Sequence, residues 1–355
     1  MIKKESILIN LYKKISIIFL PIAVFVRLVY RIRRYLYLMG FFKSFEFSPR
    51  VISVGNLTLG GSGKTPLIKW ILRNIDINGE VLISSRGYRS KAEKSGVIQH
   101  ADQPSLGVEE IGDENEELLL NLTGGTISVG RDRVRNILLA LKERSFKLLI
   151  LDDGFQHLKI KRNLDIILFN TLIDPKLLRV FPSGYLREGM ASLFEADCII
   201  YTNCNSGKIS AREEEIRKKI TPYCNSYVHE FRTKSKIQSI FNIKTKEKVN
   251  NYNEREYILV SGISGPEKFS RLAKENGIKV IEHLVFSDHH QYSKRDILKI
   301  TSVSQKHKRP VLLTRKDASK FVKQEFPFDI FCCDISLSFF GDEQKFKNVI
   351  LGDDK

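Results

Sequence analysis

The stretch TLGGSGKT, residues 58 to 65, lies between an apolar run typical of a strand and a run typical of a helix. Glycines in such a loop let backbone N–H groups turn toward phosphate oxygens, and a following lysine reaches the β- and γ-phosphates. Compared with the pattern G-x-x-x-x-G-K-[ST], only the first glycine is missing. We therefore predict a nucleotide-binding loop rather than a Gly-rich turn without a ligand, formed by Thr58, Leu59, Gly60, Gly61, Ser62, Gly63, Lys64 and Thr65.

A second phosphate-site element is expected at the end of a later apolar strand, and LLILDDGFQH (148–157) supplies two carboxylates there. Asp152 or Asp153 can hold Mg²⁺ directly or through water, together with the hydroxyl of Thr65. A cap or turn role for the pair is the alternative. The subclass of partition ATPases is disfavoured because Leu59 stands where they carry a lysine, and TRKD (314–317) does not match a guanine-reading motif.

Strand-like and helix-like runs alternate along the chain, which is typical of βαβ units and a parallel sheet. Strands are predicted at 51–57, 80–85, 147–153, 164–170, 255–264, 279–288 and 309–317, with helices at 66–77 and near 131–143. Residues 226–240 resemble an extended connector. We therefore predict an α/β fold with a domain at 46–228, a smaller α/β domain at 229–355, and sites at the carboxyl ends of strands.

The chain has 355 residues and a net charge of +17, which favours anionic partners. Ten Lys and Arg residues against two Glu lie in residues 1–50, beside the uncharged run 15–26. Twelve residues are too few to span a bilayer, which needs about 20. We predict that residues 1–45 form an amphipathic helix at a membrane surface; packing on the protein core is the alternative. The five cysteines form no C-x-x-C pair, so a zinc site or disulfide framework is not indicated.

Nearly the whole chain resembles the tetraacyldisaccharide 4'-kinases, which phosphorylate the lipid A precursor of Gram-negative bacteria. The resemblance rests on the order and spacing of these segments: SVGNLTLGGSGKTP (53–66), SSRGYRS (84–90), VEEIGDE (108–114), LDDGFQH (151–157), FPSGYLRE (181–188), SGISGPEKF (261–269), FSDHHQY (286–292) and LLTRKDASK (312–320). It implies a fold similar to the P-loop NTPases, with a smaller α/β lobe joined by a β-ribbon.

The resemblance also implies two catalytic residues besides Lys64. They are Asp113 in the G-D-E segment and His289 in the D-H-H segment, with the histidine tuning the aspartate that acts as base toward a sugar hydroxyl. Metal binding by Asp288, His289 and His290 is an alternative. Arg315 departs from the family, which usually has an acid there, as do Ser183 and Tyr185 from the usual Ala and Pro.

The function predicted by this resemblance is transfer of the ATP γ-phosphate to the 4'-hydroxyl of tetraacyldisaccharide 1-phosphate, with Mg²⁺ as cofactor. The expected partners are that lipid and the membrane surface, at the cytoplasmic face of the inner membrane. Neither nucleic acid nor an obligate protein partner is expected, because the basic residues cluster with apolar ones rather than along a groove. The rival is a P-loop ATPase or switch whose second lobe binds a protein.

Overall fold

A large, mostly parallel sheet with helices on its faces dominates the molecule. The computed structural model describes residues 15–77, 79–103, 107–205, 207–263, 265–288, 290–321 and 326–353. Within them the strands are β1 (Arg50–Asn56), β2 (Val81–Ser85), β3 (Val97–His100), β4 (Thr126–Val129), β5 (Leu148–Asp152), β6 (Leu164–Asn170), β7 (Cys198–Thr202), β8 (His229–Asn242), β9 (Glu256–Ser261), β10 (Lys279–Val285), β11 (Val311–Thr314) and β12 (Ile330–Phe339).

The helices connect these strands and lie against both faces of the sheet. They are α1 (Leu20–Leu38), α2 (Lys64–Asn74), α3 (Ala92–Ser95), α4 (Val108–Ile111), α5 (Asp113–Leu119), α6 (Arg133–Glu143), α7 (Ala211–Ile220), α8 (Pro266–Glu275), α9 (Lys294–His307), α10 (Arg315–Ala318) and α11 (Glu343–Leu351). Short 3₁₀ turns add Pro175–Leu177, Met190–Glu195, Thr221–Tyr223 and Tyr252–Glu254.

The strands follow the order β10-β9-β11-β12-β8-β7-β6-β1-β5-β2-β4-β3. Antiparallel pairing among them occurs between β3 and β4 and between β8 and β12. Along β5, alternate residues belong to two apolar clusters: Leu148 and Ile150 to one, Leu149 and Leu151 to the other. Burial on both faces explains why this strand is apolar throughout. The predicted α/β class and the strands predicted from the apolar runs are confirmed.

β8 joins the two halves of the sheet. Residues 229–232 pair with β7, and residues 233–242 pair with β12 in the opposite direction. The extended connector predicted around 226–240 is thus a 14-residue strand. The last helix, α11, returns to the first half, where Phe346 packs against Trp70 with ring centroids 5.3 Å apart. The predicted domain limits at 45 and 228 stay a prediction.

Helix α1 buries little apolar surface. Ala23 and Arg34 are its buried residues, whereas Phe25, Leu28 and Ile32 are each about half exposed or more. Among the described residues, no helix combines the length and the apolar character needed to cross a bilayer. The membrane-surface role of this segment stays a prediction, and residues 1–14 lie outside the described part of the chain.

Arg34 fastens α1 to the rest of the protein. Its guanidinium contacts the carboxylates of Glu188 at 2.8 Å and Glu195 at 2.6 Å, and lies 4.5 Å from the ring centroid of Phe155. Burial disfavours the charge of Arg34, but the two carboxylates outweigh burial and raise its pKa. The contact is thus an ion pair that is mostly removed from water, and it fixes α1 beside residue 188.

A second buried ion pair network ties α2 to two other elements. The Nζ of Lys69, a side chain that is 1% exposed, lies 2.7 Å from Glu117 on α5 and 2.5 Å from Asp334 on β12. Arg73 also reaches Asp334, at 2.7 Å. The register of the β8–β12 pairing shifts between Asp334 and Ile335, next to the carboxylate that contacts both residues of α2.

We predict that Lys69→Met lowers the free energy of unfolding by about 3 kcal/mol or more, because Glu117 and Asp334 lose a buried cationic partner. Urea unfolding of the purified variant measures this. The matched control is Lys147→Met, which removes a 70%-exposed lysine paired with Glu80 and should change stability by less than about 1 kcal/mol. Equal changes in the two variants would contradict a stabilising role of the buried network.

Candidate active site

The glycine-rich loop follows β1 and leads into α2, as predicted. Gly60 and Gly63 have φ angles of +95° and +97°, in the left-handed region that disfavours any other residue. Gly63 is also the N-cap of α2. A side chain at Gly60 or Gly61 would meet no other atom within 4 Å, so the loop faces open space on that side. The loop therefore has room for a ligand at the start of a helix.

Three polar side chains hold the loop from the scaffold side. Asn56 donates to the carbonyl of Thr58 at 2.7 Å, Asn170 to Gly61 at 3.2 Å, and Thr202 to Ser62 at 2.8 Å. Each is the last residue of its strand, β1, β6 or β7. These contacts occupy the loop carbonyls, as is needed if the loop amides are to face an anion. Asn170 and Thr202 were not predicted from the sequence. Each is a polar residue that ends an apolar strand, and this position would have indicated a role at the site.

Lys64 begins α2 and points back toward the strand ends. Its Nζ lies 3.4 Å from the Oδ1 of Asn56 and 3.4 Å from the Oδ1 of Asp153. The next residue, Thr65, is half-buried in the first turn of the helix. Lys64 is thereby close to one of the two carboxylates that the sequence placed in the same site.

Asp152 is the last residue of β5 and is only 6% exposed. Burial raises its pKa to about 6, and the positive charge of Lys64 offsets this only in part. Its Oδ2 accepts a 3.4 Å hydrogen bond from Ser85, whereas its Oδ1 is buried without a hydrogen-bond partner among the described residues. A buried carboxylate oxygen without a partner is costly and marks a position where a ligand is expected.

Asp153, which has a φ of +54°, turns out of the strand toward two cations. Arg187 contacts its Oδ2 at 2.6 Å, and Lys64 lies near its Oδ1. Burial opposes ionisation of Asp153, but Lys64 and Arg187 outweigh it and lower its pKa. Arg133, buried at the start of α6, adds a third cation and donates to the carbonyl of Asp152 at 2.7 Å.

The segment FPSGYLRE brings Arg187 to the site. Its backbone runs beside the glycine-rich loop: Leu59 N–H donates to Tyr185 O at 2.7 Å, and Arg187 N–H to Leu57 O at 2.7 Å. Arg187 therefore lies in the site, where it contacts Asp153. Arg86, in the segment SSRGYRS, is 54% exposed and pairs with Glu93 at 3.0 Å.

A cavity of about 290 Å³ opens between the loop and the second half of the sheet. Lys64, Thr65 and Glu114 line it from the first half, and Lys268 and Lys316 from the second. The two halves of the chain thus meet over the glycine-rich loop, where a nucleotide would be enclosed.

Of the two residues that the family resemblance implies as catalytic, the structure describes Asp113 but not His289. Asp113 begins α5, one residue before the cavity-lining Glu114, and its Oδ1 accepts from the Glu114 N–H at 3.1 Å. His289 lies outside the described residues. Its neighbour His290 is hydrogen-bonded to Asp296 at 3.1 Å, and no group of three or more potential metal ligands occurs among the described His, Cys, Asp and Glu residues.

Arg315, which stands where the family has an acid, also borders this cavity. Its guanidinium lies 5.2 Å from the ring centroid of Phe241. All five cysteines are free.

Comparisons with known proteins give one family. A family model described as tetraacyldisaccharide-1-P 4'-kinase matches residues 15–353. A relative named tetraacyldisaccharide 4'-kinase from Halothermothrix orenii is 34% identical over 348 residues, which cover 91% of this chain and 90% of the relative. One of the same name from Desulfotalea psychrophila is 33% identical over 301 residues, covering 82% and 84%.

A solved structure is similar over the same length. The crystal structure of "apo" form LpxK from Aquifex aeolicus, in complex with ATP, has a TM-score of 0.75 and 29% sequence identity. It covers 95% of this chain and 99% of that chain. With a sequence match that runs from α1 to the last helix and a solved relative of the same fold, this chain belongs to the tetraacyldisaccharide-1-P 4'-kinase family.

Proposed function

We propose that this protein transfers the γ-phosphate of ATP to the 4'-hydroxyl of tetraacyldisaccharide 1-phosphate, a step of lipid A biosynthesis. The observation that carries the proposal is that the glycine-rich loop and the helix beginning at Asp113 line one cavity, with the buried carboxylate of Asp152 close to Lys64 at the end of that loop. The identity of the acceptor is inferred from family membership, since the relatives are named for this acceptor.

The loop residues and Lys64 would bind the triphosphate. Phosphoryl transfer demands positioning and neutralisation of charge more than covalent chemistry, so a lysine at the β- and γ-phosphates stabilises the transition state. Asp113 would accept the proton of the attacking 4'-hydroxyl, with His289 tuning its basicity. Arg133 and Arg187 add positive charge beside the two carboxylates at the end of β5.

Asp152 and Thr65 are the residues that would hold Mg²⁺. The buried Oδ1 of Asp152 has no hydrogen-bond partner among the described residues, and an oxygen of this kind suits a hard cation. Asp153 already contacts Arg187 and lies near Lys64, so we assign it the role of orienting those cations. When bound, Mg²⁺ supplies neutralisation of charge on the β- and γ-phosphates.

The acceptor requires a membrane-facing protein. Four acyl chains keep the lipid in the bilayer, since each buried CH₂ contributes about 0.8 kcal/mol. We propose that α1 lies at the cytoplasmic face of the inner membrane, with its exposed apolar residues among acyl chains and Arg27 and Arg31 near anionic headgroups. Arg34 would hold α1 against Glu188, which directly follows Arg187.

We further propose that the chain works as three parts: the membrane-surface segment 1–45, a P-loop NTPase-like kinase domain 46–228 and a smaller lobe 229–355. The antiparallel ribbon of β8 and β12 lies between the last two, because β8 pairs first with β7 and then with β12. Movement of the lobes about this ribbon would close the cavity over ATP.

A P-loop ATPase or switch is the rival function, and product analysis separates the two. ADP formation and lipid phosphorylation are measured with and without tetraacyldisaccharide 1-phosphate in mixed micelles, using wild type and Lys64→Ala. The kinase requires acceptor-dependent ADP matched by phospholipid, both lost in Lys64→Ala with the fold intact. ADP formed equally without acceptor, with no phospholipid, would support the switch.

Replacing Asp113 should separate catalysis from nucleotide binding. We predict that Asp113→Ala lowers kcat by roughly 10²- to 10⁴-fold, as expected for loss of a general base, while ATP affinity changes little. His289→Ala should show a smaller loss, and the double variant should lose less than the product of the two. Steady-state kinetics and ATP titration measure this; a collapse of ATP affinity in Asp113→Ala would contradict the role of base.

The buried carboxyl of Asp152 should make stability depend on pH. Its pKa rises from the ordinary 3.8 to about 6 on folding, so the folded chain holds this proton more tightly than the unfolded chain. Ionisation of Asp152 therefore lowers the free energy of unfolding. This loss of stability is absent below the pKa of the unfolded state, grows as pH rises, and is complete above pH 6. One unit of pKa difference is worth about 1.4 kcal/mol, so the penalty is on the order of 3 kcal/mol.

We therefore predict that Asp152→Asn is inactive but more stable than wild type, with a larger gain in melting temperature at pH 8 than at pH 5. Calorimetry at both pH values measures the difference. Asp102→Asn is the control, because a hydrogen bond from Arg144 lowers the pKa of Asp102, and its loss should bring no gain at pH 8. A gain for Asp152→Asn that is independent of pH would contradict the ionisation account.

Replacing three exposed side chains should release the protein from membranes. We predict that the triple variant with Phe19, Leu20 and Phe25 changed to Ser loses sedimentation with anionic vesicles and raises the apparent KM for vesicle-borne acceptor, with ATP affinity unchanged. The control changes three exposed leucines elsewhere to Ser: Leu120, Leu138 and Leu298. Unchanged sedimentation together with a lower melting temperature would favour core packing of α1.

A further inference from the structure

A lysine from the second half of the sheet reaches across the cavity. The Nζ of Lys316 on α10 is hydrogen-bonded to the Oε1 of Glu114 on α5, 202 residues earlier in the chain. Both residues line the cavity that contains Lys64 and Thr65. Their side chains remain 30% and 47% exposed, respectively. This contact directly joins the second half to the helix that begins at Asp113.

The backbone that carries Lys316 is held firmly by the next residue. The carboxylate of Asp317 is fully buried and accepts hydrogen bonds from Gly262 N–H at 3.1 Å, Tyr292 O–H at 2.9 Å and Thr314 O–H at 2.7 Å. Gly262 follows β9, Tyr292 lies in the segment after β10, and Thr314 ends β11, and these three strands are neighbours in the sheet. Asp317 thus fixes three strand-end segments together, and Lys316 extends toward α5 from that fixed point.

The receiving helix depends on contacts for its position. α5 has seven residues, which is too short for stable helix formation without packing. At its first turn Glu114 meets Lys316, and one turn later Glu117 meets Lys69 of α2 at 2.7 Å. Two lysines, one from each half of the sheet, therefore hold the helix that presents Asp113.

We propose that Lys316 is a positioning residue for phosphoryl transfer: it fixes the first turn of α5, and so Asp113, over the phosphate loop. This inference rests on the proposed role of Asp113 as the base. Because the pair is partly exposed, it contributes little to the free energy of unfolding. Its loss instead displaces the reacting groups relative to one another. A displacement of about 1 Å at such a site lowers the rate by about 100-fold.

The test is a double-mutant cycle in the full chain with Lys316→Met, Glu114→Gln and the double variant, together with Lys316→Arg. We expect each single change to lower kcat about 10- to 100-fold, with KM for ATP within about two-fold and melting temperature almost unchanged. The double variant should lose no more than the worse single variant, and Lys316→Arg should retain most activity. Lys147→Met, whose lysine pairs with Glu80 before β2 and β5, is the matched control and should leave kcat unchanged.

Three results would overturn the inference. The first is additive losses in the double variant, and the second is Lys316→Met as active as wild type. The third is a raised KM for ATP with unchanged kcat, which would make Lys316 a nucleotide ligand. Should Lys316→Met fail to fold, Glu114→Gln alone decides, since a normal kcat there contradicts the proposal. Failure of the proposed function is distinct, because wild type itself would then transfer no phosphate to the lipid.

Discussion

The surrounding structure depends on the carboxylate of Asp152. This carboxylate is buried at the end of a central strand, and one of its oxygens lacks a hydrogen-bond partner among the described residues. A buried carboxylate is tolerated only near compensating charge. Lys64 and Arg133 supply that charge from α2 and α6, and Arg187, from the segment after the 3₁₀ turn at 175–177, contacts the neighbouring Asp153. This arrangement supports the proposed binding of negative phosphates together with a cation.

The sheet makes this arrangement possible. Because β1, β5, β6 and β7 run parallel, their last residues meet at one edge, where Asn56, Asn170 and Thr202 hold the glycine-rich loop from behind. These contacts stabilise the loop conformation from the side of the sheet. Binding energy is then available for the transition state rather than for ordering the loop.

Charged contacts between distant segments connect this site to the rest of the chain. Arg34 links α1 to Glu188, Lys69 links α2 to α5 and β12, and Lys316 links α10 to α5. Each contact joins an element with an assigned role in lipid access, phosphate binding or proton transfer. In the proposed function, these few ion pairs would relate the acceptor at the membrane to the nucleotide in the cavity.

Sequence revealed the parts of this site that are local in the chain. Lys64 and Asp152 could be predicted because each is recognised from its immediate neighbours in the sequence. Lys64 follows the glycines of the loop, and Asp152 ends an apolar strand. The contact of Arg187 with Asp153 joins residues 34 positions apart and depends on how FPSGYLRE runs beside the loop. β3, β4, β7 and β12 were not predicted, and neither was the register shift at Asp334, because strand pairing and bulges are set by tertiary contacts.

In the proposed function, the two halves of the sheet bring ATP and a sugar hydroxyl together at this loop. Phosphorus NMR of the product, with ³¹P–¹H correlation to the sugar ring, tests this proposal. We expect one new phosphate monoester coupled to the proton at the 4' carbon, formed in equal amount to ADP. Inorganic phosphate and ADP with an unchanged acceptor, or a phosphate at another ring position, would contradict it.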